Sequence, residues 1–174
     1  MPKNIVLLLD GTSNEIKENR TNILRLYGTL AKSDDQLVYY DPGVGTLGGN
    51  TWSRLWRKFV EIWGLATGFG LDRNVLEAYQ FLVENYDRVG RDRIYIFGFS
   101  RGAYTARVLA GFIHAFGMME KRNLNLLSYA FRAYKRINED KESTFDEIRL
   151  YERTLQTDKS PIQCLGLFLS LIHI

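Results

Sequence analysis

The sequence predicts an α/β fold, a mainly parallel sheet with helices on both of its faces. Short apolar runs of strand length recur along the chain, at residues 4–9, 37–40, 93–99 and 162–168. The segments between them carry apolar residues at helical spacing instead. Strands that alternate with helices indicate βαβ units, which place successive strands parallel in one sheet. We therefore expect the loops after Leu9, Tyr40 and Phe99 to meet at one edge of the sheet, where ligands bind in such folds.

Most of the predicted elements have a local signal of their own. The first strand ends at a turn, Asp10-Gly11-Thr12, and the second enters a glycine-rich loop at residues 41–49. Thr21 or Asn22 is the expected N-cap of the first helix, and Asp72 is the expected N-cap of another. The predicted helices cover residues 23–30, 52–63, 73–86, 102 onward, 126–137 and 145–155.

Composition narrows the class of protein. With 174 residues, of which 45% are apolar and 25% charged, the chain suits one globular domain. The net charge of +3 comes from basic residues interspersed with acidic ones, so no nucleic-acid partner is expected. The single cysteine, Cys164, excludes an internal disulfide and a cysteine metal cluster and fits a reducing compartment. Neither a signal peptide nor a membrane-spanning stretch is recognisable, so we predict a cytoplasmic location in the producing cell.

One motif carries the chemistry. Gly98-Phe99-Ser100-Arg101-Gly102 directly follows a predicted strand and opens a predicted helix, which is the context of a nucleophile elbow. The serine backbone is strained in such a turn, and side chains at Gly98 and Gly102 would collide with the turn or with a neighbouring strand. The amino end of the helix directs N–H groups towards the charge that develops in acyl transfer. Ser100 is therefore the predicted nucleophile of a serine hydrolase, and a solvent-exposed turn serine is the alternative.

An oxyanion hole needs two N–H donors near the nucleophile. The backbone N–H of Arg101, the residue after the nucleophile, is the first candidate. The second is expected from Gly11 and Thr12 in the loop after the first strand, with Asp10 in a supporting role. A plain turn after a strand is the alternative for these three residues. No metal or organic cofactor is implied.

Three other sequence patterns could indicate a different function. Phosphatases of the haloacid dehalogenase type carry a nucleophilic Asp two residues before the position that Asp10 occupies here. This chain has Leu8 in place of that nucleophile, so it lacks the group needed for their covalent phosphoryl transfer. The glycine-rich loop at residues 43–49 lacks the Lys-Ser/Thr ending of a phosphate-binding loop. The predicted helix at residues 52–63 is basic and aromatic, which fits either contact with a membrane surface or packing on the sheet.

The catalytic base is not recognisable. His114 lies in the helix after the elbow, away from the strand ends. His173 lies in the last six residues, 169–174, which we interpret separately. Residues 169–174 resemble the translation of one frame of a transposase sequencing adapter, and we interpret them as a library remnant, with a natural apolar strand as the alternative. Residues 1–168 are then expected to be the N-terminal part of a single α/β-hydrolase domain whose C-terminal part is missing. Because Asp or Glu and then His follow the serine in such hydrolases, we expect this fragment to be inactive.

Five segments, in order, match the motifs of one family. They are Asp10-Gly11-Thr12-Ser13-Asn14, Tyr40 to Thr46, Gly70 to Asn74, Tyr79 to Tyr86 and Ile96 to Arg107. In these segments the chain resembles a bacterial and fungal family of predicted α/β-hydrolases, whose best-described members are the first class of type VI secretion lipase effectors.

The resemblance implies an activity and partners. It implies hydrolysis of an ester, with a phospholipid as the expected substrate and contact with a membrane surface, and an immunity protein or the secretion apparatus as partner if the protein is a delivered effector. In the family a strand like Cys164 to Phe168 continues into Asp-Thr-Val, and that strand-end Asp is the expected acid. Two alternatives stay open: a carboxylesterase that acts on soluble esters, and a non-enzymatic binding or scaffold domain that keeps the elbow for structural reasons.

Overall fold

The computed structural model describes residues 2–11, 21–43, 69–136, 149–151, 153–155, 157–159 and 162–168. Strands and helices alternate along this part of the chain. The strands are β1 Asn4–Leu9, β2 Gln36–Asp41, β3 Arg93–Phe99 and β4 Ile162–Phe168. The α-helices are α1 Asn22–Thr29, α2 Phe69–Asn85, α3 Arg101–Phe116 and α4 Leu127–Arg136, and a 3-10 helix, Lys121–Leu126, precedes α4.

The four strands form one sheet in the order β2-β1-β3-β4, and every neighbouring pair is parallel. Leu9 at the end of β1 pairs with Asp41 of β2 and with Gly98 of β3. Phe99 at the end of β3 pairs with Phe168 at the end of β4. The carboxyl ends of all four strands therefore lie at one edge of the sheet, and the predicted parallel α/β fold is confirmed.

Strand β1 is buried on both of its faces. Ile5, Leu7 and Leu9 belong to a large core that they share with α2, α3 and α4. Val6 and Leu8 point the other way and pack with Ile23 of α1. A continuous apolar strand of this kind is typical of the centre of a parallel sheet that helices cover on both sides.

An ion pair fixes β1 and β3 relative to each other at the opposite, amino-terminal edge of the sheet. Lys3 donates to Asp92 twice, from its backbone N–H to Oδ1 at 2.8 Å and from Nζ to Oδ2 at 2.5 Å. Burial alone would raise the pKa of Asp92, but the hydrogen bonds from Lys3 and from the Asp87 N–H outweigh it and lower that pKa. Because the strand ends are held in register here, the loops at their carboxyl ends are held in register as well.

Two helix starts differ from the sequence prediction. Asp72 is not an N-cap but lies in the first turn of α2, which begins at Phe69, and its carboxylate accepts a hydrogen bond from Lys135 at 2.7 Å. An acidic residue in the first turn interacts with the helix dipole as favourably as one at the cap, so the sequence signal does not separate the two positions. The helix predicted from residue 126 begins at Leu127, because the preceding turns are a 3-10 helix.

Two other predicted helices fall wholly or partly outside the described residues. The one at residues 52–63 lies entirely outside them, whereas residues 149–151 and 153–155 of the other are helical. Within the described ranges, no helix has both the length and the apolar character needed to cross a bilayer.

Candidate active site

Loops from three strands meet at the carboxyl edge of the sheet, as the sequence predicts. Asp10 and Gly11 follow β1, Gly43 lies just after β2, and Ser100 follows β3. A Cβ built on Gly43 would stand 2.7 Å from the carbonyl O of Gly11, and one built on Gly11 would stand 3.3 Å from Cβ of Ser100. The three loops are thus in direct contact, and Ser100 lies at their junction.

The backbone of Ser100 is strained. Its φ of 54° and ψ of −117° lie outside the regions that residues other than glycine usually adopt. Such a conformation costs about 1–3 kcal/mol and persists only where the surroundings impose it. Its N–H donates to the carbonyl O of Phe168 at 3.1 Å, so the end of β4 lies against this residue.

The hydroxyl of Ser100 is not used to cap a helix. Ser100 occupies the N-cap position of α3, where serine side chains ordinarily accept a hydrogen bond from the first turn, yet it makes no such bond. Thr21, at the N-cap of α1, does cap its helix and accepts from the Leu24 N–H at 3.0 Å. Ser100 is also only half-buried, so its hydroxyl is left for another role.

Two glycines make this turn sterically feasible. A Cβ on Gly98 would overlap the carbonyl O of Gly102 and stand 2.6 Å from Cα of Ala103. A Cβ on Gly102 would overlap the carbonyl O of Leu9 and stand 2.7 Å from that of Asp10. Both positions therefore require glycine, because the first turn of α3 packs directly on the ends of β3 and β1.

The residues predicted for an oxyanion hole flank Ser100. Arg101 is the first residue of α3, and Gly11 lies beside Ser100 across the turn. The Gly11 N–H donates to Oδ1 of Asp10 at 2.8 Å, so it would have to be shared with Asp10, or released from it, to bind an oxyanion. Thr12, the other predicted donor, lies outside the described residues.

Asp10 is the centre of a hydrogen-bond network that sequence reasoning did not assemble. Its side chain is buried, with 2% of the residue exposed. While Oδ1 accepts from Gly11, Oδ2 accepts from the hydroxyl of Thr21 at 2.6 Å and from that of Tyr40 at 3.0 Å. Burial, followed by the Asp10 carboxylate, raises the pKa of Tyr40, so that phenol stays a donor.

A second aspartate holds the neighbouring loop. Oδ1 of Asp41 accepts from the Gly43 N–H at 2.8 Å, which closes a tight turn after β2. Burial raises the pKa of Asp41, and the nearby Glu77 and Asp10 raise it further, against hydrogen bonds from Gly43 and Asn74 that lower it. Gly43 has a φ of +78°, a conformation that favours glycine, and it packs on the carbonyls of Asp10 and Gly11.

The histidine within the described residues is far from Ser100. His114 is exposed in the last turn of α3, and 14 residues of helix at about 1.5 Å each separate it from Ser100 by about 20 Å. His173 lies outside the described residues. In the described part of the chain, no group of three or more His, Cys, Asp or Glu side chains could hold a metal ion.

Sequence reasoning singled out Ser100 and its glycines as candidates but missed the contacts of Thr21, Tyr40 and Asp41. Thr21 was recognisable only as a helix cap, and Tyr40 only as a strand residue. The usable signal was that β1 and β2 end in aspartates, Asp10 and Asp41, which neighbouring parallel strands bring to the same edge. Which hydroxyls reach those carboxylates depends on strand order, and the spacing of residues does not reveal it.

Comparison with known proteins agrees with this geometry. Residues 3–171 match the model of a family described as "T6SS, Phospholipase effector Tle1-like, catalytic domain". The chain belongs to this family. The Tle1-like match spans the whole sheet, including the turn at Ser100 and strand β4.

The chain is also similar to a protein of known sequence from yeast. The chain is 36% identical over 148 residues to the uncharacterized protein YEL023C of Saccharomyces cerevisiae, an alignment that covers 80% of this chain and 21% of the yeast protein. The chain thus spans about a fifth of the length of this relative. No solved structure matches the chain.

Proposed function

We propose that this chain carries the nucleophile of an α/β-hydrolase, with Ser100 as the residue that attacks a carboxylic ester. The observation that supports this most strongly is the backbone of Ser100. Ser100 is half-buried, lies between two obligatory glycines and does not cap its helix. Backbone strain at such a serine has no purely structural benefit. It matches the nucleophile elbow, in which the hydroxyl is held out above the sheet.

The reaction follows the acyl-enzyme route. Oγ of Ser100 attacks the carbonyl carbon of the ester while a histidine takes the hydroxyl proton, and the alcohol leaves with that proton. Water then attacks the acyl-enzyme, and the fatty acid is released. The N–H of Arg101 and the Gly11-Thr12 turn hold the negative oxygen in both tetrahedral intermediates, and a single donor of this kind contributes about 2.7–4 kcal/mol.

The acid and the base are not assigned to residues of this chain. The hydrogen bond between Ser100 and Phe168 supports a place for the acid directly after β4, where the family resemblance expects an Asp. We expect the 174-residue chain alone to be inactive. His114, the histidine within the described residues, is about 20 Å from Ser100, His173 falls in the segment interpreted as an adapter remnant, and a serine without its base loses most of its reactivity.

We propose a phospholipid as the substrate, since the family is described as phospholipase effectors. A phospholipid substrate implies contact with a membrane surface. If the producing cell delivers the protein from its cytoplasm, we propose an immunity protein or the secretion apparatus as a further partner. A carboxylesterase that acts on soluble esters would use the same Ser100 chemistry. A phospholipase acts on an ester that is presented on a membrane surface, whereas a carboxylesterase acts on an ester in solution.

The test compares two substrates and two proteins. The complete gene product and its Ser100→Ala variant are assayed on phosphatidylethanolamine–phosphatidylglycerol vesicles and on a short-chain ester below its micellar concentration. We expect fatty acid release from vesicles and a loss of at least about 10³-fold in Ser100→Ala, with an unchanged melting temperature. Turnover of the soluble ester alone would indicate a carboxylesterase. Equal activity in both proteins would exclude Ser100 as the nucleophile, and no activity in either would favour a binding or scaffold domain.

A further inference from the structure

The turn at Gly11, which contacts Ser100, is held in place by the buried carboxylate of Asp10, and this carboxylate accepts hydrogen bonds from two hydroxyls. Oδ1 of Asp10 holds the Gly11 N–H at 2.8 Å, and Oδ2 holds the hydroxyls of Thr21 at 2.6 Å and Tyr40 at 3.0 Å. These groups come from the end of β1, the start of α1 and the end of β2. One carboxylate therefore joins three elements directly beside the candidate nucleophile.

The contacts of Gly11 show what this network positions. A Cβ on Gly11 would lie 3.3 Å from Cβ of Ser100 and 3.2 Å from the ring of Phe99, so the turn passes at van der Waals distance from the nucleophile. The carbonyls of Asp10 and Gly11 are packed against Gly43 on one side, and the carbonyls of Leu9 and Asp10 are packed against Gly102 on another. Packing limits the translation of the turn, while the hydrogen bond to Asp10 fixes the orientation of the Gly11 peptide.

We propose that Tyr40 is a positioning residue for the reaction at Ser100, because its hydroxyl, with that of Thr21, orients the Asp10 carboxylate that holds Gly11 against the nucleophile. This inference rests on the proposed function. Two donors on Oδ2 fix the rotation of the carboxylate about its Cβ–Cγ bond, and so they fix the direction in which Oδ1 meets Gly11. When one donor is removed, the carboxylate rotates more freely and the turn loses part of its order.

Position matters here because an oxyanion hole is effective only at short range. The Gly11 N–H, which Asp10 and the oxyanion would share, is effective only about 2.7–3.1 Å from the place that the oxyanion occupies, so a shift of about 1 Å in the turn weakens the interaction in the transition state. The ester in its ground state depends far less on these donors. The loss should therefore fall on kcat and not on KM.

The chain offers a matched pair of variants on one strand. Tyr40→Phe removes the hydroxyl on Asp10 and keeps the ring, whose centroid lies 5.1 Å from that of Tyr27. Tyr39→Phe, the control, removes a hydroxyl from the other face of β2, where the ring packs on Phe81 at 4.8 Å. Both phenols are partly buried, so a general effect of hydroxyl loss on folding would show in both.

The experiment measures three quantities on the complete gene product: kcat and KM for ester hydrolysis, the rate at which a small fluorophosphonate labels Ser100, and the melting temperature. For Tyr40→Phe we expect kcat and the labelling rate to fall together by about threefold to tenfold with KM unchanged, because only part of the free energy of one hydrogen bond to a carboxylate reaches the transition state through Gly11. Tyr39→Phe should match the wild type. Asp10→Asn should lose more than Tyr40→Phe, because its amide cannot accept from the Gly11 N–H and from the two hydroxyls at once.

The other outcomes each contradict a defined part of the account. Tyr40→Phe with wild-type kcat and labelling would overturn the inference and leave the proposed function standing. A fall in kcat only in proportion to a lower melting temperature, or an equal fall in Tyr39→Phe, would mean that Tyr40 is merely structural. A wild-type protein that neither hydrolyses esters nor is labelled at Ser100 would overturn the proposed function, and the inference with it.

Discussion

Buried polar side chains in this protein have specific partners, and Tyr79 is a clear case outside the candidate site. Its ring lies in the large core on α2 and is fully buried. The hydroxyl donates to the carbonyl O of Gly117 at 2.8 Å and accepts from the Met119 N–H at 2.9 Å. One phenol therefore satisfies two buried backbone groups in the segment that follows α3, and its loss would leave both without that partner.

Tyr79→Phe should destabilise the protein by about 1–3 kcal/mol, the cost of leaving buried polar groups unsatisfied. Chemical denaturation followed by circular dichroism measures this. Tyr129→Phe is the control, because 56% of Tyr129 is exposed and its hydroxyl loss should change stability by less than about 0.5 kcal/mol. Equal stability of the two variants would show that the Tyr79 hydroxyl bonds do not contribute.

Asp41 leads to a prediction about pH. Its pKa is raised in the folded protein, first by burial, so ionisation of this carboxyl disfavours the folded state. The stability linked to Asp41 is therefore fully present below its unfolded pKa and is lost as the pH rises through its folded pKa. Asp41→Asn keeps an oxygen for the Gly43 N–H and has no charge to bury, and Asn74 can turn its amide to stay bonded.

We expect Asp41→Asn to melt at a higher temperature than the wild type at pH 7–8, and the difference to vanish as the pH approaches 4, near the ordinary range of an Asp pKa. Scanning calorimetry across this range measures it. Asp34→Asn, an exposed change of the same kind in the turn before β2, should leave the melting temperature close to the wild-type value at every pH. A destabilised Asp41→Asn at neutral pH would contradict the burial argument.

At the scale of elements, the strand-to-helix turn at Ser100 depends on close backbone approach. Gly102 brings the first turn of α3 onto the carbonyls at the end of β1, and Gly98 brings the end of β3 under the same turn. The close contacts at both glycines agree with the collisions expected from the sequence, because the reason is local and steric and holds wherever this turn occurs. By contrast, the N-cap predicted at Asp72 was wrong, since acidic residues are favoured throughout the first turn.

A pair of glycine substitutions tests the close approach. Gly102→Ala should destabilise the protein by about 3 kcal/mol or more, because the added methyl meets backbone that cannot move aside. Gly28→Ala, on the exposed side of α1 with no atom within 4 Å of the new methyl, should stabilise it by about 0.5–1 kcal/mol. Urea denaturation of both variants measures the contrast, and a tolerated Gly102→Ala would contradict the packing described for this turn.

At the scale of the whole molecule, the sequence predicted the class of fold and the edge at which the loops of the candidate site meet. Continuous apolar strands such as β1 indicate a buried parallel sheet, and parallel strands bring their following loops together. Strand order was not predictable, since neighbouring strands pair through backbone hydrogen bonds, which do not depend on the side chains of β1. The Asp10–Tyr40 contact depends on that order, which places β2 next to β1, and so it emerges only in three dimensions.

The central claim is that Ser100 is a nucleophile, and covalent labelling tests it most directly. The complete gene product is treated with a biotinylated fluorophosphonate, and mass spectrometry of its peptides locates the adduct. Ser128→Ala, which changes an exposed serine on α4, is the control for Ser100→Ala. The account predicts one adduct on Ser100, present in Ser128→Ala and absent from Ser100→Ala. An adduct elsewhere, or no adduct on a folded protein, would contradict it.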